Sequence, residues 1–225
     1  MDGQQRARVL ASCVLFSQLP EGALLRLAGL ASVRQCRRGQ ILFAEGDAGD
    51  SLLVVVAGSM KAYVTTEQGD EFLLAVVGPG ETLGELALAD GGGRSATVSA
   101  LSAASVLRLP RDAVLELARS EPALMDALLV VLASVIRRLN GHAADLAFLD
   151  LPRRVGKLLL APRAAAQGDA VGGALTQTEM AARVGASRQS VNAALQEFQR
   201  RGWIRIAARE ISIRDPSALA RFVGS

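Results

Sequence analysis

The 225 residues predict an α+β protein in three parts: an antiparallel barrel or sandwich of short strands, one long helix, and a small C-terminal helix-turn-helix with a β-hairpin wing. Three observations carry this expectation. Between Gly39 and Leu109, short β-branched or apolar runs are separated by turn signals (EGDAGD, AGS, EQGDE, GPGE). That spacing suits antiparallel strands rather than βαβ units. Glu121–Leu149 is dense in Leu, Ala, Val and Ile and reaches Gly141 before meeting a glycine. From Thr176 onward, two helix-start signatures flank a glycine turn, and an alternating pair of runs follows.

Composition narrows the possible chemistry. The length suffices for two ordinary domains, and half the residues are hydrophobic, so a packed core is expected and disorder is not. Cys13 and Cys36 form no C-x-x-C pair and His142 is the one histidine, so a protein-ligated zinc or iron–sulfur site is not expected. The opening MDGQQRAR lacks a signal-peptide pattern, and the apolar run Ala127–Ile136 is far below the roughly 20 residues of a bilayer span. A cytoplasmic protein without a membrane partner is the expectation. Net charge is +3, but it is unevenly placed: residues 1–150 balance at −4 and residues 151–225 at +7. A small basic domain is the electrostatic footprint of a nucleic-acid binder.

Taken in order, residues 9–30 read as two short amphipathic helices broken at Pro20, with Leu24, Leu27 and Leu30 packing inward. Strands are expected at Ile41–Phe43, Leu52–Ala57, Lys61–Thr66, Phe72–Val77, Ala96–Leu101 and Ser105–Leu109, then a helix at Arg111–Ser120. In the long helix, Met125, Leu129, Leu132, Ile136, Leu139, Ala143 and Leu146 recur in alternating steps of four and three, a coiled-coil-like seam. Leu124, Leu128, Val131 and Val135 make further faces apolar. Such a helix needs cover on more than one side, one from its own domain and one from a second copy. A buried helix within a single larger domain is the alternative. The domain division that follows is 1–120, 121–149 and 150–225.

Beyond Asp150, LPRRVGKLLLAPRAA reads as a helix with Val155, Leu158 and Leu159 inward, followed by a Gly- and Ala-rich loop. Thr176 and Glu179 form a capping box at the start of a helix to about Val184. Gly185-Ala186 turns the chain, and Ser187 caps a second helix to about Arg201. Trp203–Ile206 and Ile211–Ile213 make the wing. Val191, Leu195 and Phe198 share the core face of the second helix, so Arg188, Gln189, Asn192, Ala193 and Gln196 face out. Residues at such a helix start reach base edges in the major groove of double-stranded DNA. Arg188 can fork onto guanine and Gln189 can pair with an adenine edge, while Thr176 and Ser187 suit phosphates. A helical hairpin for protein contact is the plainer alternative.

A second candidate is GETLGELALADGGGRSATVSA, from Gly80 to Ala100. Gly84-Glu85-Leu86-Ala87 offers an approachable backbone entering a short helix. Arg94 can pair two phosphate oxygens, Ser95 adds a hydroxyl, and Glu85 suits a ribose hydroxyl. A structural Glu85–Arg94 ion pair closing a glycine loop would explain the same residues.

These features together resemble the cyclic-AMP receptor protein/Fnr (Crp/Fnr) family of bacterial transcription regulators. The likeness is carried by Gly39, Gly46, Gly58 and Gly80, the GEL…RSA segment, LAFLD at Leu146–Asp150 and SRQSVN at Ser187–Asn192. The resemblance implies an N-terminal antiparallel β-roll of the jelly-roll type, a long dimerisation helix and a winged helix-turn-helix. It also implies a homodimer on an inverted-repeat operator, contact with RNA polymerase, and a cyclic nucleotide effector, cyclic AMP foremost. Glu85 would take the ribose 2′-hydroxyl, Arg94 and Ser95 the cyclic phosphate, and Arg188 and Gln189 the bases. The family's Thr followed by Ser or Asn, which reach the adenine, correspond here to Leu139 and Asn140, so the Thr is missing. Gln189 stands where Glu is common and Ala193 where Arg often stands, so a different operator is expected. The Fnr-type cysteine cluster is absent. The competing readings are the same fold with another effector, such as a cyclic dinucleotide, or with none, and a nucleotide-binding regulatory subunit of an enzyme. An enzyme in its own right is not expected: there is one histidine, no nucleophile elbow and no Walker loop.

Overall fold

A computed structural model describes residues 1–161, 176–207 and 210–224. The Gly- and Ala-rich loop expected at 164–174 lies outside them. The chain forms two compact units, Met1–Val64 with Leu74–Arg138, and Thr65–Leu73 with Leu139–Ser225.

The first unit begins with α1 (Gly3–Ser12) and α2 (Glu21–Leu30). Asp2 and Gln5 cap α1 reciprocally, a start signal that the sequence reading passed over. On α2, Ala23, Leu24, Leu27 and Ala28 face the core. Leu30 does not: it is 60% exposed, because the helix ends there and the chain turns into a strand. Then come β1 (Ser32–Cys36), β2 (Ile41–Phe43), β3 (Ser51–Ala57), β4 (Met60–Thr65), β5 (Glu71–Val77), β6 (Thr82–Leu83), α3 (Glu85–Asp90), β7 (Thr97–Ala100), β8 (Ala104–Pro110) and α4 (Arg111–Ser120). The strands make two four-stranded sheets, ordered β1-β8-β3-β6 and β2-β7-β4-β5. The β1–β8, β3–β8, β3–β6, β2–β7 and β4–β7 pairings are antiparallel, as a roll requires.

β3 explains why its sequence reads as an unbroken apolar run. Leu52 and Val54 turn toward the helices and join a core with Leu10, Phe16, Leu27, Leu107 and Leu109. Leu53 and Val55 turn the other way and pack with Met60, Val98, Ala100 and Val106. A strand buried on both faces carries no polar alternation.

α5 (Pro122–Phe148) buries Leu124, Leu128 and Val135. The neighbouring seam stays open: Met125, Leu129, Ile136, Leu139 and Leu146 are exposed, as is Ala143, and Leu132 is half-buried. No helix among the described residues is long and apolar enough to cross a membrane.

The second unit holds α6 (Leu151–Leu160), α7 (Gln177–Val184), α8 (Arg188–Arg200), β9 (Ile204–Ala207), β10 (Glu210–Ile213) and α9 (Pro216–Gly224). Val155, Leu159, Met180, Val184, Val191, Leu195, Phe198, Ile204, Ile211 and Leu219 form its core, with Leu158 half-buried against it. The wing strands pair antiparallel from Ile204↔Ile213 to Ala207↔Glu210. α9 was not anticipated; Asp215 starts it by accepting from the Ala218 amide at 2.8 Å.

The expected caps are in place. The Thr176 hydroxyl accepts from the Glu179 amide at 3.2 Å, the Glu179 carboxylate accepts from the Thr176 amide, and Ser187 accepts from the Ser190 amide at 3.1 Å. Replacing Thr176 by Ala should destabilise the second unit by about 1 kcal/mol, measured by chemical denaturation followed through Trp203 fluorescence. An unchanged midpoint would mean that the cap contributes nothing.

Candidate functional site

The first candidate site is built by two loops that carry few apolar residues and so depend on hydrogen bonds. Arg94 donates its backbone N–H to the Asp47 carbonyl and accepts from the Gly46 amide, both at 2.8 Å, which ties the GGGRS loop to the turn before β3. Its side chain then runs inward. Arg94 is 4% exposed, donates to the Ser51 carbonyl at 2.7 Å and the Ser51 hydroxyl at 3.0 Å, and lies over the Phe43 ring at 4.2 Å. Asp50 approaches the same guanidinium at 3.6 Å and holds Arg108 at 2.6 Å. The Ser51 hydroxyl holds the Asp50 carboxyl below its usual range, burial works against it, and Arg108 adds to the lowering. Burial lowers the Arg94 pKa, and Asp50 opposes that.

Gly84 is required where it stands. Its φ is +89°, and a Cβ there would lie 2.2 Å from the Arg94 guanidinium. α3 starts immediately after it and is held at its far end by Arg111, which donates to the Ala87 carbonyl at 3.2 Å. Glu85 opens that helix. Its Oε2 is shielded from solvent without a hydrogen-bond partner, and burial pushes its carboxyl up, opposed by backbone amides and by the charge of Arg138. Leu86 is half-buried, Ala87 is buried and Ser95 is exposed beside Arg94.

Glu85 and Arg94 are therefore brought to one region but not to each other, since the Arg94 bonds run to Ser51 and Asp50. The ion pair that would close the glycine loop does not form. What remains is a buried cation beside a shielded acceptor lacking a donor. That combination costs stability, and it suits a ligand bearing both an anion and a hydroxyl. Asp50, Ser51, Phe43 and Arg108 were not singled out in the sequence; EGDAGD reads there only as a turn. Leu139 and Asn140 are exposed on α5.

The second candidate site lies on α8. Gly185, in the left-handed region at φ +64°, closes α7, and Ser187 starts α8 two residues later. Arg188, Gln189, Ala193 and Gln196 are exposed and Asn192 is half-buried, while Val191, Leu195 and Phe198 are buried. The helix start thus presents Arg188 and Gln189 to solvent, at the end from which a helix reads a major groove.

Fold and sites together define a class: a small-ligand β-roll domain joined by a long helix to a winged helix-turn-helix. Residues 33–121 match the cyclic nucleotide-binding domain family and residues 153–222 the Crp-like helix-turn-helix domain family. The chain is 37% identical over 219 residues to the CRP-like cAMP-activated global transcriptional regulator of Mycobacterium tuberculosis, covering 95% of this chain and 97% of that one. It is 31% identical to the cyclic AMP receptor protein of Thermus thermophilus, covering 81% and 83%. FixK2 from Bradyrhizobium japonicum shares the fold, with a TM-score of 0.77 at 21% identity over 85% of this chain and 96% of that one. The chain belongs to the Crp/Fnr family of transcription regulators.

Exchanging Glu85 for Gln provides a check on the first site. A buried acid with a raised pKa disfavours its charged form, so its contribution to stability falls as pH rises through the ordinary Glu value. Glu85→Gln should raise the melting temperature of the ligand-free protein at pH 7, with the difference closing at acid pH. A lower melting temperature at pH 7 would identify Glu85 as a structural residue.

Proposed function

We propose that this chain is a homodimeric regulator whose β-roll binds a cyclic mononucleotide, cyclic AMP foremost, and whose winged domain reads an inverted-repeat operator in double-stranded DNA. The observation that carries the reading is Arg94, a buried guanidinium within reach of the same small region as the shielded Glu85 carboxylate. Arg94 and Ser95 would hold the cyclic phosphate, Glu85 the ribose 2′-hydroxyl, and the Gly84–Ala87 backbone the floor of the pocket. Arg188 and Gln189 would read bases, with Asn192 and Gln196 further along α8, and Thr176 and Ser187 would contact phosphates. The exposed seam on α5 supports a second copy as partner. The relatives' cyclic-AMP naming supports the effector. Residues 1–120 would then be the effector domain, 121–149 the dimer helix and 150–225 the DNA-binding domain. The protein acts by binding rather than catalysis, in the cytoplasm, with RNA polymerase as a further partner.

Leu139 sets the strength of the response. Where the family places a hydroxyl toward the adenine, an isobutyl group leaves a base edge without a partner on burial, which costs roughly 1–3 kcal/mol, or about tenfold to a hundredfold in affinity. Asn140, able to donate and accept, recovers part of it. Leu139 also lies on the open seam of α5, where it strengthens helix packing without ligand. The expected result is a weak cyclic-nucleotide response. In calorimetry, Leu139→Thr should tighten cyclic AMP binding, while Arg94→Ala should abolish it. No heat with any cyclic mononucleotide at millimolar concentration, in wild type or Leu139→Thr, would sink the effector assignment; heat with a cyclic dinucleotide instead would replace it.

For DNA, Arg188→Ala should cost roughly 1–3 kcal/mol at the cognate site and relax preference at one base pair in each half-site. A uniform loss across all base substitutions would make Arg188 a phosphate contact.

A further inference from the structure

The tip of the β4–β5 hairpin, Thr65–Leu73, groups with the second unit rather than the first. It is an ordered turn. The Thr66 amide donates to the Asp70 carbonyl and the Gly69 amide to the Thr66 carbonyl, both at 2.9 Å, and the Asp70 amide donates to the Thr66 hydroxyl at 3.1 Å. One contact ties this tip to the helix-turn-helix and another to α5. Arg183, in the last turn of α7, donates to the Leu73 carbonyl at 3.2 Å. Phe72 lies edge to face with His142 of α5, ring centroids 6.5 Å apart.

The Phe72 ring also reaches Gly185. Gly185 is exposed, and a Cβ added there would lie 3.5 Å from the Phe72 ring and 3.3 Å from Leu146, so both side chains flank the glycine that ends α7. Gly185 is the pivot of the motif: Ser187, two residues on, caps α8, and Arg188 and Gln189 follow. The contact leaves those two side chains exposed. The hairpin therefore bears on the turn without covering the reading residues, which makes it a support rather than a mask. Both chain ends of the tip continue as strands of the first unit, giving the effector domain a covalent lever on this turn.

We propose that Phe72 is a positioning residue for DNA reading, seating the hairpin tip on Gly185 and so fixing the turn that aims α8. This rests on the reading of α8 as the DNA-reading helix, and the experiment separates the two. Phe72→Ala and the conservative Phe72→Leu are compared with wild type in the full chain, by backbone hydrogen exchange and by binding to a duplex that wild type selects from a random pool.

Phe72→Ala should speed exchange of the Ala186–Ser190 amides about tenfold while α6 and α9 keep their protection. It should weaken binding to the selected duplex about tenfold with the same base preferences and the same salt slope, and Phe72→Leu should restore most of both. Unchanged exchange at the turn, exchange raised evenly through the second unit, or duplex affinity equal to wild type despite a loosened turn would each overturn the proposal. If wild type selects no duplex, the DNA-reading assignment fails, and the positioning role in DNA reading falls with it. The exchange data then still report whether Phe72 holds the turn.

Discussion

A single helix carrying two neighbouring apolar faces, one buried and one open, governs this molecule. On α5, Leu124 and Leu128 are taken up by the core of the first unit and Val135 is buried, while Met125, Leu129, Ile136, Leu139 and Leu146 are exposed. Among the described residues no element buries Met125, Leu129, Ile136 or Leu139, and monomeric proteins seldom leave such a contiguous apolar stripe open. In the proposed dimer a second copy would cover the stripe with the same residues on each side, as two-fold symmetry demands. A two-fold protein in turn presents two α8 helices, and paired half-sites on DNA follow from that geometry. The proposed function thus leans on the helix before it leans on any pocket.

The pocket adds a second constraint. Burying a guanidinium requires partners for its donors; Arg94 obtains them from Ser51 for its two terminal nitrogens, with Asp50 close by and Phe43 beneath, while its Nε is buried without one. Glu85 is left without an equivalent arrangement. Natural folds carry such imbalances mostly where binding requires them. A ligand entering here must exchange some of the existing Arg94 bonds for its own. In the proposed reading, affinity is therefore a difference between two sets of contacts.

Much of the fold was legible because its signals are local. The Thr176–Glu179 box, Gly185 and Ser187 specify helix, turn and helix within a dozen residues, and the α8 core face followed from the spacing of Val191, Leu195 and Phe198. β1 escaped because Ser32–Cys36 buries only Cys36 and offers no alternation. β6 is two residues long, and its place depends on β3 alone. Leu30 was misplaced because helical period cannot tell where a helix stops short of its core. In the site, Gly84, Glu85 and Arg94 stood out as a motif. Asp50, Ser51 and Arg108 did not, since their relation to Arg94 exists only after β3 and β8 have paired.

The stripe on α5 can be tested without knowing effector or operator. Sedimentation equilibrium of the full chain at micromolar concentration should return twice the 23.5 kDa chain mass, and Leu129→Glu, which places a charge on the open seam and leaves the buried face untouched, should return the single-chain mass with the fold retained. Wild type sedimenting as a single chain across that range, or a Leu129→Glu variant that stays paired, would contradict the assignment of this face to a second copy.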